Sequence, residues 1–313
     1  MLEEFLGEAR KGFKSALRPF ISACETVRVH LMNKYRLLPH YLATIIFIWL
    51  MGFVQTSAGE LPLFDAHVHY SEDIWQAIPA DDAIIRLEKQ GIRRAIVSST
   101  PANGAIKLYE QNPGLVIPFL RPYRTPDDRR DWYKNPDILN YIRSQLESFD
   151  YRGLGEFHLF GSQVNTPVMK DILALARKKN LILFAHSDPE TIDALLTAAP
   201  NLTVIWAHGG FDVDVNIIAK KLTQNRNLYI ELSFRDGITE QEVLTPTWRE
   251  LFMTHPSRFL VGTDTYTGQR WLALPELTDY YQGWLKQIPP NIAEAIAYKN
   301  GERITAQKPV WNK

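Results

Sequence analysis

The chain has 313 residues, of which 45% are hydrophobic and 22% are charged, and this composition excludes a wholly disordered chain, a collagen-like chain and a multi-span membrane protein. Its 35 basic and 35 acidic side chains balance, so bulk charge does not indicate a nucleic-acid-binding domain. The single cysteine, Cys24, excludes an intrachain disulfide and any cysteine-cluster metal site, which leaves His, Asp and Glu as metal ligands.

Residues 1–58 predict an N-terminal targeting segment that precedes the folded domain. No Asp, Glu, Lys or Arg occurs from Leu37 to Gly59, and the apolar core of this stretch covers residues 42–54. That core is short for a membrane-spanning helix and suits a signal peptide, with small residues just before Gly59 for cleavage after Ala58. An uncleaved membrane anchor is the alternative.

The start of translation and the location of the protein depend on this segment. Translation from Met32 in place of Met1 would leave a leader of ordinary length. Residues 1–58 hold seven of the basic and four of the acidic side chains, which leaves 28 and 31 in residues 59–313, a net charge of −3. We expect an exported protein, periplasmic or extracellular, or one tethered to a membrane through residues 42–54.

Eight short apolar segments predict buried parallel strands that alternate with helices. The predicted strands are Leu61–His69, Arg94–Ser98, Val116–Arg121, Gly153–Leu159, Leu181–His186, Thr203–His208, Leu228–Leu232 and Phe259–Asp264. The predicted helices are Ala83–Lys89, Val168–Lys179, Thr191–Ala199, Val215–Leu222, Leu274–Ile288 and a closing Asn291–Arg303. Eight strand–helix units predict a single-domain α/β fold, a (β/α)₈ TIM barrel over residues 59–313, with a doubly wound open sheet as the alternative.

Histidines concentrate at the predicted strand ends, which form the active-site face of a barrel. Residues 59–313 contain six: His67, His69, His158, His186, His208 and His255. His67 and His69 are two apart on a strand, so both should project to one face and suit a cation such as Zn²⁺. Asp65 has the same parity and could hydrogen-bond a ligating imidazole.

Further polar residues end the later strands. Glu156 lies in an otherwise apolar fourth strand, where metal coordination or a salt bridge would offset its burial. His158 follows on the same face as an extra ligand or a substrate contact. The fifth and sixth strands each end on a single histidine, His186 and His208, and the eighth ends on Asp264, which could bind metal or cap the next helix.

In this order, the motifs resemble the metal-dependent amidohydrolase superfamily over essentially the whole chain after residue 60. The resemblance covers His-X-His on the first strand, an acidic residue on the fourth, single histidines on the fifth and sixth, and aspartate on the eighth. Residues 291–303 resemble the family's terminal helix with its Asn-X-X-Arg ending. The likeness is nearest to the amidohydrolase-related branch, and Gly155-Glu156 also resembles the TatD-type deoxyribonucleases. No lysine stands at strand four, so Glu156 would replace the carboxylated lysine of many members.

The resemblance implies a divalent metal, for which we expect Zn²⁺, with Mn²⁺ or Fe²⁺ as alternatives. The implied ligands are His67, His69, Glu156, His186, His208 and Asp264. Glu156 would either complete one site or bridge to a second ion, so one and two metals per chain both stay open. Asp264 would take a proton from metal-activated water, and His208, if it is not a ligand, would polarise the scissile carbonyl.

Substrate contacts are predicted at the barrel mouth. The candidates are His158, Arg121 and Arg235, where either arginine could clamp a carboxylate or phosphate, or could instead be an ordinary surface or loop-anchoring residue. Trp75, Tyr266 and Trp271 lie on loops that could wall an apolar pocket.

Three functions follow from these motifs. The first is a hydrolase that cleaves a C–N or C–O bond of a small substrate, such as an amide, lactam, lactone or ester. The second is a TatD-like phosphodiesterase or nuclease, against which the net charge of −3 argues, so we expect no nucleic-acid partner. The third is a non-catalytic, metal-stabilised barrel. Decarboxylation or hydration by the same centre stays open, and the sequence does not indicate an oligomeric state.

Overall fold

Eight parallel strands, adjacent in chain order, form the central sheet. The structure, a computed structural model, describes residues 60–306. The strands of this sheet are β1 (Leu63–His69), β2 (Ile92–Ser98), β3 (Val116–Leu120), β4 (Gly153–His158), β5 (Ile182–His186), β6 (Val204–Trp206), β7 (Leu228–Glu231) and β10 (Phe259–Leu260). Between β7 and β10, the short strands β8 (Thr239–Glu240) and β9 (Val243–Leu244) form a separate antiparallel hairpin. The amide of Ala66 donates to the carbonyl of Val261 at 2.9 Å and brings the sheet edges together. The predicted α/β barrel is therefore confirmed, as a nearly closed one.

Helices follow the strands and cover the sheet. They are α1 (Ala80–Lys89), α2 (Asn103–Gln111), α3 (Pro136–Ser148), α4 (Pro167–Lys179), α5 (Pro189–Ala198), α6 (Val215–Gln224), α7 (Pro246–Thr254), α8 (Gly268–Leu272), α9 (Leu274–Leu285), α10 (Pro290–Glu294) and α11 (Asn300–Ala306). Proline at the first position fits because that residue needs no amide donor. The side chains of Thr166 and Asp188 cap α4 and α5 by accepting from amides of the first turn.

Alternate residues of the strands separate two apolar layers. One face packs against the helices, and the other fills the barrel interior with residues such as Phe64, Phe119 and Phe184. Because both faces are buried, the strands read as nearly continuous apolar runs. The polar side chains at the carboxyl ends of the strands meet at the mouth of the barrel.

The predicted targeting segment and the predicted boundary after Ala58 lie outside the described residues and remain predictions. Within residues 60–306, no helix is both long and apolar enough to cross a membrane.

Candidate metal centre

His67 and His69 of β1 point into one centre, as their spacing predicts. Their Nε2 atoms lie 3.0 Å apart, and both side chains are buried. The Nδ1 atom of His69 is 2.9 Å from the hydroxyl of Ser98, at the end of β2. The two Nε2 atoms are therefore the ones that face the centre.

Asp65 does not hold a ligating imidazole, and that prediction was wrong. Its carboxylate accepts from the backbone amides of His67 and Thr263, both at 3.0 Å, and from the Thr263 hydroxyl at 2.6 Å. The pairing of β1 with β2 shifts register between Asp65 and Val68. Residues on the two sides of this irregularity therefore need not face the same side of the sheet, even when they are an even number of positions apart. Asp65 instead ties β1 to the segment after β10.

Glu231, at the end of β7, has the role that was expected of Asp65 and was not among the predicted site residues. Its Oε2 atom lies 3.0 Å from Nδ1 of His67 and accepts from the amide of His208 at 3.1 Å. The amide of Ser233 donates to Oε1 of Glu231, and the hydroxyl of Ser233 donates to Oε2. The Nδ1 atom of His208 faces the carbonyl of Ser233 at 3.0 Å. Since a carboxylate and a carbonyl only accept, His67 and His208 carry a proton on Nδ1, which leaves Nε2 as the atom that can bind a metal when the ring is neutral.

Asp264 supplies a carboxylate oxygen that lacks a partner. Its Oδ1 atom is buried, has no hydrogen-bond partner among residues 60–306, and lies 3.5 Å from Nε2 of His67 and 3.3 Å from Nε2 of His69. Both Asp264 and His208 adopt left-handed backbone conformations, with φ of 47° and 58°. Positive φ is uncommon for residues other than glycine, and residues with this conformation cluster at functional sites.

Glu156 of β4 lies between two pairs of imidazoles. Its Oε2 atom is 3.2 Å from Nε2 of His69 and 3.7 Å from Nε2 of His67. Its Oε1 atom is 2.9 Å from Nδ1 of His186 and 3.6 Å from Nε2 of His208. Each carboxylate oxygen therefore faces a different pair.

The mutual distances fit a divalent cation. Ligand atoms 2.0–2.1 Å from a tetrahedral ion lie about 3.3 Å apart. The Nε2 atoms of His67 and His69 lie between 3.0 and 3.7 Å from each other, from Oδ1 of Asp264 and from Oε2 of Glu156. Imidazole nitrogens and carboxylate oxygens are ligands that Zn²⁺ accepts, and an unpartnered buried carboxylate oxygen is costly without one.

Charges in the centre shift pKa values in opposite directions. Burial opposes protonation of His67, but the carboxylates of Asp264 and Glu231 outweigh it and raise its pKa well above the usual value. Burial lowers the pKa of His69. Burial works to raise the pKa of Glu156, but hydrogen bonds from neighbouring imidazoles outweigh it and hold that pKa well below the usual value. Opposed shifts within one buried cluster are typical of functional sites.

His158 lies on the cavity wall beside this centre. The hydroxyl of Tyr123 accepts from the backbone amide of His158 at 2.8 Å and lies 3.2 Å from its Nδ1. The ring of His158 stacks on that of His186 with centroids 4.3 Å apart. Burial lowers the pKa of His158 to about 3, so the imidazole is neutral.

The two predicted substrate arginines differ in the structure. Arg121 lines the cavity, and its Nε and Nη2 atoms donate to the backbone carbonyl and to Oε2 of Glu156. Arg235 is buried, and its Nη atoms donate to backbone carbonyls of the loop after β6, including those of Phe211 and Val213. The structure thus gives Arg235 the loop-anchoring role, and Arg235 is not among the residues that line the cavity. Its contact with substrate remains a prediction.

A cavity of about 240 Å³ opens above the centre. Its lining residues are His69, Arg121, Arg129, Glu156, His158, His186, His208, Phe211, Phe234, Asp264 and Tyr266. Of the aromatic residues predicted to wall the pocket, only Tyr266 lines it. Trp271 is buried with its Nε1 atom donating to the carbonyl of His69, and Trp75 donates to the carbonyl of Tyr70. The lining residues Arg129, Phe211 and Phe234 were missed, because loop positions carry no periodic signal.

Solved structures with the same fold are only distantly similar in sequence. An uncharacterized TIM-barrel protein from Bordetella bronchiseptica is 14% identical, with a TM-score of 0.56, over 78% of this chain and 98% of that one. A probable 2-pyrone-4,6-dicarboxylic acid hydrolase from Acinetobacter baumannii, with citric acid bound, is 15% identical, with a TM-score of 0.54, over 79% of this chain and all of that one. No curated protein gives a significant match.

The family model for amidohydrolases matches residues 124–304, which is more than half of the chain. That region contains β4 to β10 and so every predicted ligand except the two histidines of β1. Members of this family use divalent metals, and the described residues include groups of His, Asp and Glu that could hold one. This protein therefore belongs to the amidohydrolase family and is a metal-dependent enzyme of the hydrolase type.

Proposed function

We propose that the protein hydrolyses a C–N or C–O bond of a small substrate, such as an amide, lactam, lactone or ester. The observation that carries the proposal is the convergence of His67, His69 and Asp264 at the floor of the cavity, within 3.5 Å of one another. A divalent cation bound there would polarise a carbonyl oxygen and lower the pKa of water toward about 7. We propose that this cation is Zn²⁺, which the two imidazoles and the carboxylate support.

Asp264 is our candidate for proton transfer. One of its oxygens faces His67 and His69, and the other lies 4.0 Å from Nε2 of His208. A carboxylate at this position can accept a proton from the attacking water and return it to the leaving group. His208 would either be a ligand or help to polarise the scissile carbonyl, because its Nε2 atom faces the cavity side of the centre.

The position of Glu156 supports a second cation. With one oxygen near the histidines of β1 and the other near His186 and His208, it has the geometry of a bridging carboxylate. We therefore propose two metal sites that share Glu156, and counting metal ions per chain by elemental analysis would test this. A single ion per chain would leave His186 and His208 to contact substrate.

The residues around the barrel mouth give less support to a TatD-like nuclease function. A groove for a phosphate backbone needs several free cations. The larger cavity of about 560 Å³ beside the centre is lined by Glu72 and Asp73 as well as by arginines. The guanidinium of Arg124 is already paired with Asp128 at 2.8 Å. We therefore favour a small substrate.

The double variant His67→Ala/His69→Ala tests the proposed function. We expect loss of bound metal in elemental analysis and at least about a thousandfold loss of lactone or amide hydrolysis, because the activation of water depends on the metal. His255→Ala is the matched control, since His255 follows α7 and does not line the cavity. A double variant that keeps its metal would contradict the ligand assignment, and a metal-loaded wild type that cleaves only phosphodiesters would contradict the reaction.

We also propose that the chain is exported or tethered to a membrane by its N-terminal segment. The uncharged stretch from Leu37 to Gly59 supports this. Terminal sequencing of the natural protein, with a start at Gly59 expected after cleavage, would distinguish a signal peptide from an anchor.

A further inference from the structure

Four exposed aromatic side chains surround the mouth of the metal centre. Phe160, Phe211, Phe234 and Tyr266 follow β4, β6, β7 and β10, and their side chains are between 38% and 53% exposed. Phe211, Phe234 and Tyr266 line the 240 Å³ cavity, and the ring of Phe160 lies edge-on to His186 with centroids 5.9 Å apart. We call these four residues the aromatic rim.

Two members of the aromatic rim have unfavourable backbone conformations. Phe211 and Phe234 are in the left-handed region, with φ of 61° and 51°. For a bulky side chain this conformation is a genuine outlier and costs free energy of folding. Exposing the rings adds a second cost, because apolar surface stays in water. The backbone conformation and the exposed apolar surface therefore both count against phenylalanine at these positions.

The rings are held in place by contacts that the fold supplies. The ring of Phe211 lies against His208 with centroids 4.3 Å apart, and Arg235 donates to the carbonyl of Phe211. The guanidinium carbon of Arg270 lies 3.8 Å from the centre of the Phe234 ring. The Nε atom of Arg270 also donates to the carbonyl of Asp264 at 2.8 Å. A wall that is already ordered loses little entropy when it binds a ligand.

The position of the rim selects the kind of group that it can hold. Phe211 and Phe234 border the same cavity as Glu156, His186 and Asp264, so a group packed against the two rings would lie beside the reacting bond. A volume of about 240 Å³ has room for an aromatic ring, since a cavity of about 150 Å³ can already hold benzene. Aromatic side chains pack best against flat apolar groups, in stacked or edge-on geometry.

We propose that the aromatic rim is a substrate subsite for a planar, apolar ring next to the scissile bond. The inference rests on the proposed hydrolase function and narrows it to aromatic or unsaturated cyclic amides, lactones or esters, as opposed to short aliphatic ones. Phe211 and Phe234 are its specificity-determining residues.

Binding of two carboxylates to the full-length, metal-loaded protein tests the subsite without any turnover. Benzoate and acetate share a headgroup and differ in the ring, and we expect benzoate to bind at least about tenfold tighter by calorimetry. Phe211→Gly and Phe234→Ala should each bring benzoate close to acetate. Met253→Ala removes a comparably exposed apolar side chain in the last turn of α7 and should leave the ratio unchanged.

The melting temperature distinguishes a subsite from a structural contact. Glycine adopts the left-handed conformation freely, so Phe211→Gly should melt within about 3 °C of the wild type. A larger loss of stability, equal binding of both carboxylates, or variants that change self-association and leave benzoate binding intact would each overturn the subsite. If the benzoate preference appears but no amide, lactone or ester is cleaved, the subsite stands and the proposed hydrolysis falls. If an amide, lactone or ester is cleaved but benzoate binds no tighter than acetate, the proposed hydrolysis stands and the subsite falls.

Discussion

Glu231 is a buried carboxylate on which two imidazoles of the metal centre depend. It lies 3.0 Å from Nδ1 of His67 and accepts the amide of His208. Burial works to raise its pKa, but the charge and hydrogen bond of His67 outweigh burial and lower the pKa to about 2. Glu231 therefore stays ionised at neutral pH and fixes the ring nitrogen that His67 would present to a metal.

The variant Glu231→Gln should lower metal affinity while the barrel stays folded. Glutamine keeps the shape and one acceptor but loses the charge that holds the His67 tautomer, and loss of such a partner costs about 10–100-fold in affinity. Titration against a chelating dye measures the change. Glu240→Gln, on the exposed hairpin strand β8, is the control. Equal affinity in wild type and Glu231→Gln would show that Glu231 does not orient His67.

Side-chain positions were predictable from sequence only where a regular strand connects them. His67 and His69 face one centre because they are two apart on β1. The same spacing argument gives the wrong result for Asp65, because the strand register shifts between Asp65 and Val68. Glu231 stands alone in a strand of apolar neighbours, which is the signal that pointed to Glu156, and the same argument applied to β7 would have found it.

The positions of the strands were predictable because their residues form continuous buried apolar segments. All eight barrel strands lie within the predicted segments or extend them by two residues at most. Strand β6 ends at Trp206, two residues before the predicted end, because left-handed conformations at His208 and Gly209 turn the chain away. The predicted closing helix is divided into α10, a π-helical turn at Ala295–Lys299 and α11. Contacts with the barrel decide such details, and helical periodicity does not encode them.

The segment between β3 and α3 shows how one carboxylate orders a whole element. Asp128 lies in a 3₁₀ helix, Pro126–Arg130, and accepts from the backbone amide of Arg124 at 2.8 Å and from its guanidinium at 2.8 and 3.0 Å. These hydrogen bonds, against the opposing effect of burial, lower the pKa of Asp128 below its usual 3.8. Because the next residue, Arg129, lines the cavity, this carboxylate positions part of the mouth.

A stability difference between wild type and Asp128→Asn should depend on pH in one direction. A carboxylate whose pKa is lowered by folding stabilises the protein above its unfolded pKa, and that contribution is lost as pH falls through the folded value. We therefore expect the wild type to melt higher at pH 7 and the difference to shrink as the pH falls below about 4. Thermal denaturation of both proteins over this range measures it. A difference that stays constant or grows in acid would contradict an ionised, stabilising Asp128.

At the scale of the described molecule, its last helix, α11, closes the end of the barrel opposite the candidate metal centre. Arg152, just before β4, is buried and donates to the carbonyls of Ile304 and Thr305 in α11, both at 3.1 Å. Ile304 packs into the interior cluster with Phe64. The ends of the described chain are thus joined through the barrel interior, so packing at this end should determine the stability of the entire fold.

Gly301→Ala tests that coupling, with Gly283→Ala as its matched control. A Cβ atom on Gly301, in α11, would lie 2.2 Å from Cδ1 of Phe64, so the interior must shift to accept one methyl group. Overpacking of this kind costs about 1–3 kcal/mol. Gly283, on the exposed face of α9, has nothing within 4 Å of the same atom, and alanine there should be neutral or add up to about 1 kcal/mol through helix propensity. Denaturant unfolding should therefore move the two midpoints apart, with metal stoichiometry unchanged in both. Equal midpoints would mean that α11 moves away from the barrel without cost, and the end of the barrel would not be closed as the contacts indicate.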